Sequence, residues 1–493
     1  MPADDHRAEP PGTPFAVRWA ELADADPDRP ALTCEGTTLT RRELEHRSNR
    51  LARELAGRGL GRGDFACIVL PNGIGFALAE LAAWKVGAIP QPLSPKLPPG
   101  ELAEIVALTD PAVLIGDVEP VVSGHRPVLP ARFTPPEEQD PGPLPPAVSP
   151  SWKAPVSGGS TGRPKVIVAG RPALVEEVEA SADAFGIEPD GVALVPSPLS
   201  HNGPNMAVAL GLLRGNHVVL MRRWDAAEAL RLIDEHRVSW LYAVSTILHR
   251  IAKLPEGTRA AAELSSLRTV FHTAAPVPVW LKRAWIDWVG PVLRELYAGT
   301  EAQASTLITA EEWLARPGSV GRVQRGRMQV RDEAGHVLPP GREGKVWMRP
   351  DPGVEPTYHL LGAEPESDAA GWETLGDIGW FDEDGYLYLG DREADMILVG
   401  GANVYPTEIE AALGLHESVL DSCVIGLPDE DLGNAPHAIV HPRGPVTEEA
   451  LLSHLRGHVA AYRMPRSVEF VGTPLRDEAG KVRRSRLRAE RLP

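Results

Sequence analysis

Cysteine is nearly absent. Only Cys34, Cys67 and Cys423 occur in 493 residues, with no CxxC pair and no Cys/His cluster. That excludes a disulfide framework and a structural zinc site, and fits a reducing, cytoplasmic compartment. No apolar run reaches the roughly 18 residues that span a bilayer. The longest candidate, around Ala207–Leu213, is cut by Arg214. The opening MPADDHRAEPPG lacks the basic patch and apolar run of a signal peptide. Basic residues are outnumbered: 50 Lys+Arg against 67 Asp+Glu, a net charge of −17. Duplex nucleic acid is therefore excluded as the main partner, because phosphate backbones need a basic face. An anionic small molecule is still compatible with a local basic site.

What is present is a globular chain. Apolar residues make up 43%, enough for large cores, and the length suggests roughly two to four domains. The first 13 residues read as a loose tail. Thr40-Arg-Arg-Glu43 fits a capping box, with Leu44, Leu51, Ala52 and Leu55 on one helix face before Gly57 and Gly59. Residues 65–70 (FACIVL) predict a buried strand and 74–87 a helix packed on it. Further strands are predicted at Ala112–Ile115, Val192–Val195, Val218–Met221, Trp240–Val244 and Thr269–His272, with helices between them. This alternation predicts α/β architecture with largely parallel sheets. Residues 126–155 hold ten prolines and predict an irregular connector outside the core. A hairpin is predicted around Asp384-Gly385. Beyond Asp391 come a strand (Met396–Val399), a glycine pair and a helix from Pro406, so the chain divides into residues 1–391 and 392–493.

The sharpest local pattern is Ser157-Gly-Gly-Ser-Thr-Gly-Arg-Pro-Lys165: three glycines, three hydroxyls and one lysine in nine residues. Glycines let backbone N–H groups turn inward around an anion. Ser157, Ser160 and Thr161 can donate to phosphate oxygens, and Lys165 adds a point charge. The pattern is not GxxxxGK[ST], which excludes a P-loop NTPase. The alternative is a flexible Gly/Ser turn.

This segment resembles the phosphate loop of the adenylate-forming superfamily, which holds acyl-CoA synthetases, peptide-synthetase adenylation domains and luciferases. Other stations follow in order: Leu39–Gly63, Tyr297-Ala-Gly-Thr-Glu301, Gly376-Asp377, Gly390-Asp-Arg392, Tyr462-Arg-Met-Pro465 and Gly480-Lys481. SGGSTGRPKVI, PLSHNGPN and GGANVYPTEIEAAL resemble the bile-acid–CoA-ligase-like branch, near ligases for polycyclic terpenoid acids of platensimycin-type pathways. The resemblance implies a large N-terminal domain of layered α/β sheets with a small β-barrel, and a small mobile α+β C-terminal domain. It implies ATP, Mg²⁺ and coenzyme A. Ser157, Gly159, Ser160, Thr161, Gly162 and Lys165 would hold phosphates, and Ala275 and Pro276 would line adenine, on which Tyr297 stacks. Asp377 would accept the ribose hydroxyls, with Arg392 at the hinge entry. Thr300 would hold the α-phosphate, and Glu301 would ligate the metal. His201, Ala298 and Gly299 would face the acyl group.

Lys481 would swing in to bridge carboxylate and α-phosphate, since lysine is a long, flexible point charge. Read alone, it belongs to a basic tail. A rotation at Arg392–Asp395 would then bring Gly400 and Gly401 to the site as a pantetheine channel, where a plain turn is the rival reading. Departures from the pattern are Gly158, Val166, Ala274, Ala298 and Ala394. The implied activity is an ATP-dependent acyl-CoA ligase for a hydrophobic, polycyclic carboxylic acid. Alternatives are an enzyme confined to one half-reaction, one loading a carrier protein, and a non-enzymatic binding protein.

Overall fold

A computed structural model describes residues 11–158, 164–392, 395–399, 402–429, 432–477 and 480–492. The capping box is formed. Thr40 Oγ1 accepts from Glu43 N–H at 3.2 Å, and Glu43 Oε2 accepts from Thr40 N–H at 2.9 Å. Helix Arg41–Gly57 buries Leu44, Leu51, Ala52 and Leu55, as their spacing predicts. Strand Phe65–Val69 runs parallel to Ile89–Leu93 and Val113–Gly116. Helix Ile74–Lys85 is buried on nearly every side, which suits its all-round apolar sequence.

The larger sheet carries the predicted parallel strands. Pro30–Cys34, His217–Leu220, Val192–Val195, Trp240–Ala243, Thr269–His272 and Leu293–Ala298 neighbour one another in that order. From Leu293–Ala298 the sheet continues antiparallel through Ser305–Thr309, Ser319–Arg325, Tyr386–Arg392, Glu373–Phe381, Gly344–Arg349 and Arg327–Arg331. This antiparallel run has a separate apolar core around Val320, Val330, Val346, Met348 and Leu387. The hairpin turn falls at Gly385, with φ 80°.

Residues 395–492 build another sheet. Val419–Asp429 and Gly433–Pro442 pair antiparallel, Ser467–Phe470 joins in parallel, and helices Pro406–Leu415 and Glu448–Arg456 bury against them. This part touches the rest of the chain at a few points. The Tyr405 hydroxyl bonds the Glu343 carboxylate, and Arg443 donates to the Lys253 carbonyl at 2.9 Å. No helix among the described residues is long and apolar enough to cross a membrane.

Two expectations are corrected. Thr13 is not loose, because its N–H and hydroxyl both donate to Glu176 at 2.9 Å. The end of the proline-rich connector is core. Ser149, Ser151, Trp152, Lys153 and Ala154 are all buried. Their backbone satisfies strand partners: Ala154 N–H donates to Pro90 O at 3.1 Å, and Ala169 N–H to Lys153 O at 3.0 Å. Proline density predicts irregular backbone, and most of the segment is irregular. It does not predict where the flanking residues pack.

Candidate active site

The site is built on the carboxyl ends of parallel strands, the usual ligand edge of an open α/β sheet. Strand Val156–Gly158 pairs antiparallel with Pro164–Ala169, setting Ser157 opposite Lys165. Gly159, Ser160, Thr161 and Gly162, expected to cradle phosphate, lie outside the described residues. Lys165 Nζ reaches Glu301 Oε1 at 3.0 Å. Glu301 is only 5% exposed, and its backbone carbonyl accepts from Thr357 Oγ1 at 2.7 Å. Val166, in place of a glycine, is fully buried between neighbouring strands, where a β-branched side chain packs well.

Strands Thr269–His272 and Leu293–Ala298 deliver the next groups. Thr273 Oγ1 donates to Leu296 O at 2.7 Å, tying the two strand ends together. Ala274 stands at φ 75°, a left-handed conformation that glycine adopts without strain. Ala275 and Pro276 follow it on the cleft wall, and Ala298, Gly299 and Thr300 line the same cleft. A Cβ on Gly299 would fall 2.7 Å from Leu375 Cδ1 and 3.0 Å from Glu301 Oε2, so a side chain there would displace the Glu301 carboxylate. Tyr297 donates its hydroxyl to Asp377 Oδ2 at 2.7 Å. The phenol is therefore tied to the carboxylate expected to receive ribose, a link sequence reasoning missed. Asp377 stands opposite Arg392 in the register of the hairpin. His201 stands at the N-cap position of helix Asn202–Leu213, on the cleft wall.

All these walls enclose one cleft of about 2040 Å³, and Lys481 lines it from the C-terminal part. Gly480 makes the approach possible. Its φ is 76°, and a Cβ there would lie 3.0 Å from Thr246 Oγ1 and 3.3 Å from Val244 Cγ2. The structure thus gathers Lys165, Glu301, Tyr297, Asp377 and Lys481 around one space. Gly400, Gly401, Glu393 and Ala394 lie outside the described residues.

Two further features escaped the sequence reading. Tyr358 donates to Glu373 Oε2 at 2.6 Å, and Gln303 bonds the same carboxylate, beside Glu301 on the cleft wall. Lys153 is 5% exposed and also lines the cleft. Its only advance signal was a cation among apolar residues in Trp152-Lys-Ala-Pro-Val156.

The donor set fits magnesium with nucleotide. Among the described residues no group of three His, Cys, Asp or Glu could hold a metal by itself. Mg²⁺ ordinarily takes one or two carboxylates plus substrate phosphates and water. One buried glutamate, Glu301, beside Lys165 is compatible with that requirement.

Residues 19–359 match the model of the AMP-binding enzyme family, and residues 408–481 match that of the AMP-binding enzyme C-terminal domain. The chain belongs to the AMP-binding enzyme family, as the ordered motifs implied. It is 29% identical over 475 residues to a 2-succinylbenzoate–CoA ligase of Bacillus licheniformis, covering 95% of this chain and 98% of that one. It is 31% identical over 495 residues to a feruloyl-CoA synthase of an Amycolatopsis species, covering 96% and 98%. The structure resembles o-succinylbenzoate CoA synthetase of Bacillus subtilis in complex with its acyl-adenylate intermediate, with TM-score 0.79, 25% identity and coverage of 97% and 98%.

Proposed function

We propose that this chain is an AMP-forming acid–CoA ligase acting on a hydrophobic, bulky polycyclic carboxylic acid. In the first step a carboxylate oxygen attacks the α-phosphate of ATP, and pyrophosphate leaves. In the second the thiol of CoA attacks the acyl carbonyl, and AMP leaves. The observation that carries this reading is the convergence of Lys165, Glu301, Asp377 and Lys481 on one cleft. Two anions must meet in the first step, so fixed cations around their meeting point lower its barrier. Lys165 holds phosphate oxygens, Thr300 lies at the α-phosphate, and Lys481 bridges the two reacting groups. Glu301 would hold Mg²⁺, which when bound neutralises phosphate charge. Tyr297 keeps the Asp377 carboxylate oriented toward ribose.

Residues 1–391 form the binding domain, and residues 392–493 rotate about Arg392–Asp395 between the steps. The approach of Gly480-Lys481 to Thr246 supports an orientation suited to the first step. The polycyclic acid rests on the branch resemblance of the motifs. A panel of fatty, aromatic, steroid and diterpenoid acids, scored separately for pyrophosphate release, acyl-AMP and acyl-CoA, tests the reading. Acid-dependent pyrophosphate release followed by CoA consumption is expected. Release without CoA consumption, restored by a carrier protein, would change the acceptor.

A further inference from the structure

Among the described residues three lysines are buried: Lys85, Lys153 and Lys282. Two of them have a carboxylate in direct contact. Lys85 Nζ meets both oxygens of Glu45, at 2.8 and 2.7 Å, and Lys282 bonds Glu295. That is the normal way to keep an ammonium inside a protein. Lys153 differs. Its hydrogen-bond partners are the Asn202 amide oxygen at 2.5 Å and the Met206 sulfur at 3.0 Å, and its Nζ sits 4.7 Å from the centroid of the Trp152 ring. All three are neutral. Lys153 is also the one of the three that lines the cleft. Burial pushes its pKa down to about 7, with the charge of Glu301 opposing that shift.

The lysine is also placed with care. Ala169 N–H donates to Lys153 O and Ile167 N–H to Pro155 O, so the chain from 153 extends the phosphate-loop hairpin. Strand side chains alternate, which puts Lys153 on the same face as Lys165. Lys165 pairs with Glu301, the carboxylate expected to hold Mg²⁺ beside the phosphates. Lys153 instead leans on helix Asn202–Leu213, the element that His201 introduces.

We propose that Lys153 is a binding residue for the carboxylate of the acid substrate, holding it in the cleft for attack on ATP. A buried ammonium with only neutral partners lacks one negative charge, and the acid brings one. The phosphates already have Lys165. This assignment rests on the ligase reading above and adds the group that receives the acid.

The test uses the full chain and two variants, Lys153→Met and Lys153→Gln, which differ in polarity but both lack the charge. The probes are cholate and cinnamate, each paired with its primary amide, and binding is measured by calorimetry in the presence of AMP. The unmodified chain should bind at least one acid about tenfold or more tighter than its amide. Both variants should lose that preference while ATP affinity stays within about twofold. Lys153→Arg should restore part of it. An acid-over-amide preference that survives in both variants overturns the proposal. So does a loss of ATP affinity with acid affinity intact, which would assign Lys153 to the phosphates. Failure of the unmodified chain to bind either acid would also count against it. Pyrophosphate release with the same acids separates the two readings. Acid binding that depends on Lys153 without any release would sink the ligase reading and leave Lys153 as a carboxylate-binding residue with no part in attack on ATP.

Discussion

Lys165 Nζ and Glu301 Oε1 lie 3.0 Å apart although 136 residues separate them in the chain. One arrives on the phosphate-loop hairpin and the other on the loop after strand Leu293–Ala298. The pair joins the lysine expected to hold phosphate to the carboxylate expected to hold the metal.

Glu301→Gln keeps the shape of the side chain and removes its charge. Charge-assisted hydrogen bonds are worth about 1.5–3 kcal/mol, or roughly ten- to a hundredfold. The Mg²⁺-ATP requirement should rise by that order while binding of supplied acyl-AMP changes little. A magnesium titration at fixed ATP reads it, and an unchanged metal dependence would remove Glu301 from the metal site.

Tyr297→Phe deletes the hydroxyl that Asp377 accepts. A hydrogen bond to a carboxylate contributes about 1.5–3 kcal/mol, so AMP affinity should fall by about tenfold or more if that support is lost in full. Calorimetry with AMP checks this. Unaltered affinity would show that Asp377 needs no such support.

Lys481→Ala should abolish adenylation and largely spare CoA transfer from supplied acyl-AMP, because its charge is needed where two anions meet. Gly480→Val should act alike for a different reason. The positive φ and the nearness of Thr246 leave no room for a branched side chain. Equal loss of both half-reactions in either variant would contradict the role.

Ala274→Gly tests a departure that the structure makes concrete. Left-handed backbone costs an alanine about 1–2 kcal/mol, while glycine adds about 0.5–1 kcal/mol of unfolded-state entropy. A net gain of roughly half a kcal/mol is expected. It should appear as a raised denaturant midpoint with unchanged slope. A fall in midpoint would mean that the Ala274 methyl packs usefully against its surroundings.

Lys153 gives the unliganded protein a pH dependence of known sign. Its pKa is about 7 in the folded chain against an ordinary 10.5. The unfolded state therefore binds more protons between those values, and stability rises with pH across that window. Lys153→Met should raise stability at neutral pH and remove this part of the slope. Denaturant midpoints at pH 7 and pH 9 for both proteins read the difference. Equal slopes would mean that Lys153 titrates normally.

Local chemistry was written plainly in the chain. The Thr40 capping box, the turn at Gly385 and the strands Val192–Val195 and Thr269–His272 depend on neighbours a few residues away, so spacing alone determined them. The family motifs likewise marked Lys165, Glu301, Asp377 and Lys481. Tertiary structure decided the rest. The burial of Trp152 and Lys153 depends on strands that close over the connector. The bond from Tyr297 to Asp377 spans 80 residues, and the approach of Gly480 to Thr246 brings the C-terminal residues against helix Ser245–Ala252. Contacts of that range are set by how whole elements pack, and no local pattern of residues encodes which distant side chain a buried charge will meet.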